Sequence, residues 1–174
     1  MYVVDANVLL YAVNRDTPHH EEARTWLDRA LAGVEDVYFT DLVELAFLRL
    51  ATKAEIFARP LTISDAWGTL ELWRSAPAAV GATGDLRRTC DLLSATGTAG
   101  NLVNDAYLAS LAAERGYKIV TFDRDFERFP GVDVHLLGGG PGATAGQPKR
   151  QATPTQGETT RHDPLRTISL EEPA

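Results

Sequence analysis

Hydrophobic and polar positions along the first part of the chain switch repeatedly between the period of a strand and the period of a helix. Short apolar runs predict strands at residues 2–4, 37–40, 78–82, 118–122 and 132–136. Apolar positions spaced three and four apart predict helices at residues 18–33, 41–51, 64–75, 85–94 and 101–114. Strands that alternate with helices favour an α/β fold, with helices on both faces of a central, mostly parallel sheet.

The pattern stops at Gly138. From there to Ala174, Gly and Pro supply 11 of 37 residues and no aromatic side chain occurs. Such a segment cannot bury enough apolar surface to offset the entropy of ordering its backbone. The sequence therefore predicts a folded domain at residues 1–137 and a flexible tail at 138–174.

The predicted helix at 41–51 is apolar on almost every side, which predicts that it is buried. Glu44 interrupts it, and a buried carboxylate without a partner is costly or changes its pKa. Two interpretations stay open. Glu44 belongs to a functional site, or it pairs with Arg49 or another buried arginine.

Three further carboxylates are candidates for a functional site. Asp5 and Asp123 follow predicted strands, and ligands of parallel sheets bind beyond the carboxyl ends of strands. Asp105 lies on a narrow polar stripe of an otherwise apolar helix. Each also has a plainer interpretation: Asp5 and Asp123 as helix caps or turn residues, and Asp105 as a favourable charge near a helix N-terminus.

If these four carboxylates lie close together in the fold, their negative charge must be compensated. Two carboxylates about 4 Å apart repel by about 4 kcal/mol at an effective dielectric near 20. Oxygen ligands without Cys or His suit Mg²⁺ or Mn²⁺ better than zinc. Such ions activate water and polarise phosphoryl oxygens, so phosphodiester hydrolysis is the natural chemistry.

Composition and charge exclude some kinds of site and make some binding partners less suitable than others. The single cysteine, Cys90, excludes an internal disulfide framework and a Cys-rich zinc site. The apolar stretch at 2–13 is too short to span a membrane, so we expect a soluble, cytoplasmic protein. Residues 1–137 carry 20 acidic and 13 basic side chains, a net charge of −7 that is poorly suited to attracting nucleic acid. Such a charge suits divalent metals, basic partners or plain solubility, and net charge alone does not choose among them.

Three segments and their order resemble the PIN-domain family, and more closely the VapC toxins of bacterial VapBC toxin–antitoxin systems. The segments are VVDANVLLYAV, TDLVELAFLRLAT and GNLVNDAYLASLAAERGYKIVTFDRDFERFPGVDV. The resemblance covers residues 1–137 and implies a PIN-like three-layer α/β/α fold. It implies a Mg²⁺-dependent ribonuclease (Mn²⁺ is an alternative ion) that is the toxin of a type II system. It also implies inhibition by a cognate VapB-type antitoxin, an RNA substrate and a homodimer.

Carried over residue by residue, the resemblance assigns catalysis to four acids: Asp5, Glu44, Asp105 and Asp123. Three of them, all except Glu44, are the expected metal ligands. Glu44 is the only Glu available for its position, but its register is loosely fixed, because the family's Glu can fall elsewhere in this helix.

The resemblance also implies accessory residues. Asn7 and Thr121 are expected to orient the ligands through hydrogen bonds, and Asp125 to help position metal or water. Arginines are candidates for contacts with the RNA backbone: Arg15, Arg49, Arg74, Arg87 and Arg88. His19 and His20 open a predicted surface helix and are expected to face solvent.

Two other functions remain as alternatives. A catalytically silent PIN-like domain would bind only a protein partner. An aspartyl-phosphate phosphatase also places an Asp after its first strand, but it needs a second acid two residues later, where this chain has Asn7.

Overall fold

The computed structural model describes residues 1–33 and 35–139, and this part of the chain contains five strands and six α-helices. The strands are β1 (Tyr2–Val4), β2 (Val37–Thr40), β3 (Ala79–Ala82), β4 (Lys118–Thr121) and β5 (Asp133–Leu136). The helices are α1 (Ala6–Val13), α2 (His20–Leu31), α3 (Asp41–Ala51), α4 (Ile63–Arg74), α5 (Leu86–Thr96) and α6 (Val103–Arg115). Two short 3-10 helices cover Gly100–Leu102 and Arg124–Arg128.

All five strands pair in parallel in one sheet of order β3-β2-β1-β4-β5. The central strand β1 pairs with β2 and β4, and its Val3 and Val4 are fully buried. After β3 the chain crosses the sheet to build β4 on the other side of β1. The strand order therefore reverses between β1 and β4, and ligands of parallel sheets bind at such a reversal.

The helices cover both faces of the sheet and complete the predicted three layers. Right-handed crossovers between parallel strands place α1–α4 on one face and α5, α6 and the second 3-10 helix on the other. Contacts agree with this arrangement, because α1 packs on α2 and α3, α3 packs on α4, and α6 packs on α5 and the 3-10 helix. Between α3 and α4, Phe47 and Trp73 pack edge to face with ring centroids 5.2 Å apart.

The first helix, α1, was not predicted from the sequence. Its eight residues follow β1 after one intervening residue, and their continuous apolar character hides a helical period. The side chains of Val8, Leu9, Leu10 and Ala12 are buried in the core. The following helix, α2, begins at His20, two residues later than predicted, because the His20 backbone N–H closes a turn onto Thr17.

The bounds of β2 and α3 match the prediction, but α3 is not buried on all sides. Val43, Phe47 and Ala51 form a buried stripe with a spacing of four, whereas Leu45 is 64% exposed. A helix in an outer layer packs only one face against the sheet and its neighbouring helices.

The predicted tail at 138–174 lies outside the described residues, apart from Gly138 and Gly139. In the part of the chain that the structure describes, none of the helices is long and apolar enough to cross a membrane.

Candidate active site

The parallel strands β1 and β4 end side by side, and this juncture carries Asp5. The Asp5 backbone N–H donates to Val120 O at 3.1 Å, which extends the pairing one residue beyond β1. Asp5 stands at the N-cap position of α1, yet its side chain makes no capping hydrogen bond. Instead, Thr121 Oγ1 donates to Asp5 Oδ2 at 2.7 Å. The interpretation of Asp5 as a helix cap is therefore wrong.

The fully buried Thr121 hydroxyl joins several groups at this juncture. It accepts hydrogen bonds from Asn7 Nδ2 and from the Asp123 backbone N–H, both at 2.9 Å. The Phe122 backbone N–H donates to Asn7 Oδ1 at 3.2 Å. Asn7 and Thr121 thus tie the end of β4 to the start of α1 around the Asp5 carboxylate. The amide of Asn7 is engaged in this network, at the position where a phosphatase would need its second acid.

Two of the predicted acids, Asp105 and Asp123, act electrostatically on a third, Asp5. Burial raises the pKa of Asp5 to about 6, against the opposing effect of the Thr121 hydrogen bond, and the charges of Asp105 and Asp123 raise it further. Asp105 lies in the first turn of α6, and its Oδ2 is shielded from solvent. The structure therefore brings the carboxylates of Asp105 in α6 and Asp123 after β4 within electrostatic range of Asp5.

Asp123 also has a local structural role, as the capping alternative anticipated. Its Oδ1 accepts a hydrogen bond of 2.9 Å from the Asp125 backbone N–H and so caps the second 3-10 helix. The side chain of Asp125 is bound elsewhere, since its Oδ1 lies 2.7 Å from Arg128 Nη2. The predicted accessory acid is thus held in an ion pair with Arg128.

Glu44 has a different electrostatic environment. It lies in the first turn of α3, with a side chain that is 12% exposed, and its Oε2 is 3.2 Å from Arg74 Nη1 of α4. Burial raises the pKa of Glu44, the charge of Arg74 lowers it, and Asp41 raises it. The pairing alternative for Glu44 is therefore correct, with Arg74 as the partner in place of Arg49.

The donor set suits a hydrated Mg²⁺ or Mn²⁺ ion. Within residues 1–33 and 35–139, no three His, Cys or acidic side chains are already grouped closely enough to hold a metal. However, Mg²⁺ keeps several waters and needs only one or two carboxylates as direct ligands. Asp5, Asp105 and Asp123 offer only oxygen donors, and their mutual repulsion would fall on binding a cation. Their metal-binding and catalytic roles stay predictions.

Two residues that lie near the candidate acids are not predicted to do so from the sequence: Arg74, beside Glu44, and Tyr11, near Asp5 and Asp123. Arg74 was considered only for RNA contacts, since its pairing with Glu44 depends on how α3 and α4 pack. Burial raises the pKa of Tyr11, and the charges of Asp5 and Asp123 add to the effect. Tyr11 lies in α1, a helix that the sequence does not predict. The position of Tyr11 near Asp5 would follow from the sequence only if the apolar run after Asp5 were interpreted as a helix.

The expectation that both histidines face solvent was wrong. His20 is buried, with its Nδ1 3.0 Å from Tyr11 O. His19 is partly buried, and its ring stacks on Tyr11 with centroids 5.2 Å apart.

The family model of the PIN domain matches residues 2–132. The chain is 47% identical to Ribonuclease VapC37 of Mycobacterium tuberculosis over 135 residues, which cover 76% of this chain and 94% of the relative. It is 36% identical to Ribonuclease VapC25 of the same organism over 138 residues, which cover 76% and 95%.

Solved structures share the fold at low sequence identity. A chain of VapBC2 from Rickettsia felis, crystallised with a DNA fragment from its promoter, superposes with a TM-score of 0.56 at 21% identity, covering 78% of this chain and 97% of that one. VapC20 of Mycobacterium tuberculosis, described as a sarcin–ricin loop cleaving toxin, gives a TM-score of 0.54 at 14% identity, covering 76% and 99%.

Proposed function

The chain belongs to the PIN-domain family, and from this premise we propose that it is a ribonuclease toxin of a type II toxin–antitoxin system that uses Mg²⁺ or Mn²⁺. One observation carries the proposal. Asp5 is buried at the strand reversal between β1 and β4, and the charges of Asp105 and Asp123 oppose its ionisation there. A buried carboxylate with a raised pKa, close to two further acids at such a reversal, is typical of a catalytic site.

Each residue contributes a specific part of the proposed chemistry. Thr121 and Asn7 hold the Asp5 carboxylate in one orientation. Asp5 and Asp105 would hold the ion, with Asp123 completing its ligands. The ion, when bound, would polarise a phosphoryl oxygen and make its water more acidic. Glu44 would position the attacking water, which requires its carboxylate to exchange Arg74 for that water.

The proposal includes a protein partner and a location. VapBC2 of Rickettsia felis shares this fold, so we propose a VapB-type antitoxin for this chain. The acidic body, with a net charge of −7 over residues 1–137, favours a basic antitoxin segment at the carboxylate site. We propose further that the protein is cytoplasmic and forms a homodimer.

The direct test is cleavage of total RNA by purified, antitoxin-free protein. We expect cleavage with Mg²⁺ or Mn²⁺, none in excess EDTA, and none with the Asp5→Asn variant. Asp133→Asn is the matched control, because Asp133 is a surface acid that pairs with Lys118 at 3.3 Å. It should cleave like the wild type.

Expression in bacteria provides the second readout. The wild type and Asp133→Asn should stop growth, and Asp5→Asn should not. Cleavage that persists in EDTA would contradict the metal proposal. A wild-type protein that binds a VapB-type antitoxin but cleaves no RNA under any metal would instead support the silent protein-binding module.

A further inference from the structure

Three aromatic rings form a cluster beside the carboxylate site, which we call the aromatic triad: Tyr11, His19 and Phe122. Tyr11 and His19 stack at 5.2 Å, Tyr11 and Phe122 meet edge to face at 5.0 Å, and His19 lies 4.8 Å from Phe122. All three are partly buried, so none is enclosed in the core. The triad joins α1, the start of α2 and the end of β4.

The triad borders the candidate catalytic acids directly. Phe122 stands between Thr121, which binds Asp5, and Asp123, and its backbone N–H is fixed by Asn7. From α1, Tyr11 is close enough to Asp5 and Asp123 for their charges to act on its hydroxyl. A nucleotide with its phosphate at these acids would therefore have its base or sugar near the triad.

Because the protein carries a net negative charge, stacking on these rings would add affinity for RNA that basic side chains do not supply. Binding of nucleic acid usually relies on clustered Lys and Arg, yet residues 1–137 carry a net charge of −7. Some of the candidate arginines are already engaged, since Arg74 pairs with Glu44 and Arg88 with Glu114 at 3.4 Å. Stacking on aromatic rings provides affinity that needs no positive charge, because every base has a π face.

We propose that the aromatic triad stacks a nucleobase of the RNA substrate next to the phosphate that is cleaved. This inference rests on the proposed ribonuclease function and deepens it, since it names the surface that holds the substrate. Stacking of this kind requires bases that are not enclosed in a duplex, as in single-stranded or looped RNA.

Gly138 lies next to the aromatic triad. The backbone of Gly138 lies against Phe122 and His19, and its N–H donates to Glu22 Oε1 at 2.9 Å. A Cβ at this position would come within 3.2 Å of Phe122 and 3.5 Å of His19. Gly138, at a φ of +87°, therefore borders the rings without placing a side chain on them.

The chain offers a matched control cluster. Tyr2, Trp26 and His135 pack in a similar way, with centroid distances of 5.4, 5.7 and 6.3 Å. Tyr2 is the first residue of β1, at the opposite end of the strand from Asp5. A general preference of RNA for exposed aromatic residues would label both clusters, whereas substrate stacking would label only the triad.

Photocrosslinking tests the contact without requiring turnover. Full-length protein with the Asp5→Asn substitution is irradiated with random-sequence RNA in which 5-iodouridine replaces uridine, and crosslinked peptides are mapped by mass spectrometry. We expect adducts on Tyr11, His19 or Phe122 and none on the control cluster. Adducts confined to other surfaces, or equal labelling of both clusters, would overturn the proposal.

Kinetics then separate stacking from a structural role. Phe122→Leu keeps an apolar side chain but removes the ring, and should raise KM for RNA by about 5- to 150-fold with a smaller change in kcat. Phe122→Tyr should restore KM, and Trp26→Leu should leave KM unchanged. Thermal unfolding of each variant is measured in parallel. If Phe122→Leu lowers only Tm, or impairs antitoxin binding but not KM, the triad is not a base-stacking surface.

The two proposals fail in distinguishable ways. Normal RNA cleavage by Phe122→Leu would reject base stacking and leave the ribonuclease function in place. A wild-type protein that cleaves no RNA but crosslinks through the triad would reject the ribonuclease function and support the triad as a base-binding surface.

Discussion

Two acidic regions at the same edge of the sheet differ in how their charge is balanced. At the ends of β1 and β4, burial raises the pKa of Asp5 to about 6, and the charges of Asp105 and Asp123 add to this rise. At the end of β2, Glu44 is also largely buried, but Arg74 lies 3.2 Å from its carboxylate. Both acids follow a strand of the same parallel sheet, so topology alone does not explain the difference.

The difference indicates which of the two regions keeps repulsion between neighbouring carboxylates. An acid paired with an arginine needs nothing further, whereas carboxylates that repel one another gain from a cation. The β1/β4 juncture therefore has a physical reason to bind a metal ion, and the Glu44–Arg74 pair has none until its partners separate.

The largest expected effect concerns catalysis. Under the proposed function, Asp105→Asn should lower the rate of RNA cleavage more than about 100-fold, because removing a ligand should exceed the roughly 10–100-fold typical of its supporting partners. Glu44→Gln should lower the rate only about tenfold, since Arg74 already balances Glu44. Single-turnover cleavage under saturating Mg²⁺ measures both. Equal losses would show that Glu44 leaves Arg74 and joins the site.

The next effect concerns the hydroxyl that orients Asp5. Thr121→Val keeps the shape of the side chain but removes its hydrogen bonds to Asp5, Asn7 and the Asp123 backbone. We expect a loss of Mg²⁺ affinity of about 10–100-fold, as for other residues that orient metal ligands. Titration of cleavage activity with Mg²⁺ measures it. Thr121→Ser retains the hydroxyl and should stay within a few-fold of the wild type.

Much of this arrangement could be predicted from the sequence, because it depends on local patterns. Alternation of apolar runs with helical periods is set by which face of each element is buried, and β2 and α3 appear with the predicted bounds. The strand ends that carry Asp5 and Asp123 follow from the same pattern, and the parallel topology brings them to one edge.

The remainder depends on tertiary packing that no local pattern contains. Arg74 meets Glu44 across 30 positions of sequence, and the pairing needs α3 and α4 to lie side by side. The triad of Tyr11, His19 and Phe122 likewise joins three elements. Its first ring belongs to α1, whose continuous apolar run has no visible helical period.

A smaller effect concerns stability in the absence of metal. A pKa of about 6 in place of 3.8 means that ionised Asp5 costs the folded state at most about 3 kcal/mol above pH 6. Asp5→Asn removes this charge, so in EDTA at pH 8 we expect its Tm to exceed that of the wild type by about 3–6 °C. The pKa is raised, so the gain should shrink as pH falls from 6 toward 3.8 and be lost below that.

Calorimetry in EDTA, followed by addition of Mg²⁺, measures this gain and its control. Mg²⁺ should stabilise the wild type and close the gap to Asp5→Asn, because the ion relieves the same repulsion. Glu44→Gln is the matched variant and should show a smaller increase in Tm, since Arg74 opposes part of the rise in the Glu44 pKa. A wild type more stable than Asp5→Asn in EDTA would show that the Thr121 hydrogen bond outweighs the repulsion.

The smallest effect comes from breaking the balanced pair. Burial already raises the pKa of Glu44 above 4.5, and Arg74→Gln would remove the charge that opposes this rise. An acid whose pKa is raised in the folded state lowers stability as pH increases, so the variant should be less stable than the wild type at pH 7, by about 0.5–1 kcal/mol. At pH 4 Glu44 is mostly protonated, and the two proteins should be nearly equal in stability.

Urea unfolding at both pH values measures the difference, with Arg74→Lys as the control that keeps the charge. A deficit that is the same at pH 4 and pH 7 would mean that Arg74 stabilises α4 through packing, and that the contrast between the two acidic regions does not lie in this pair.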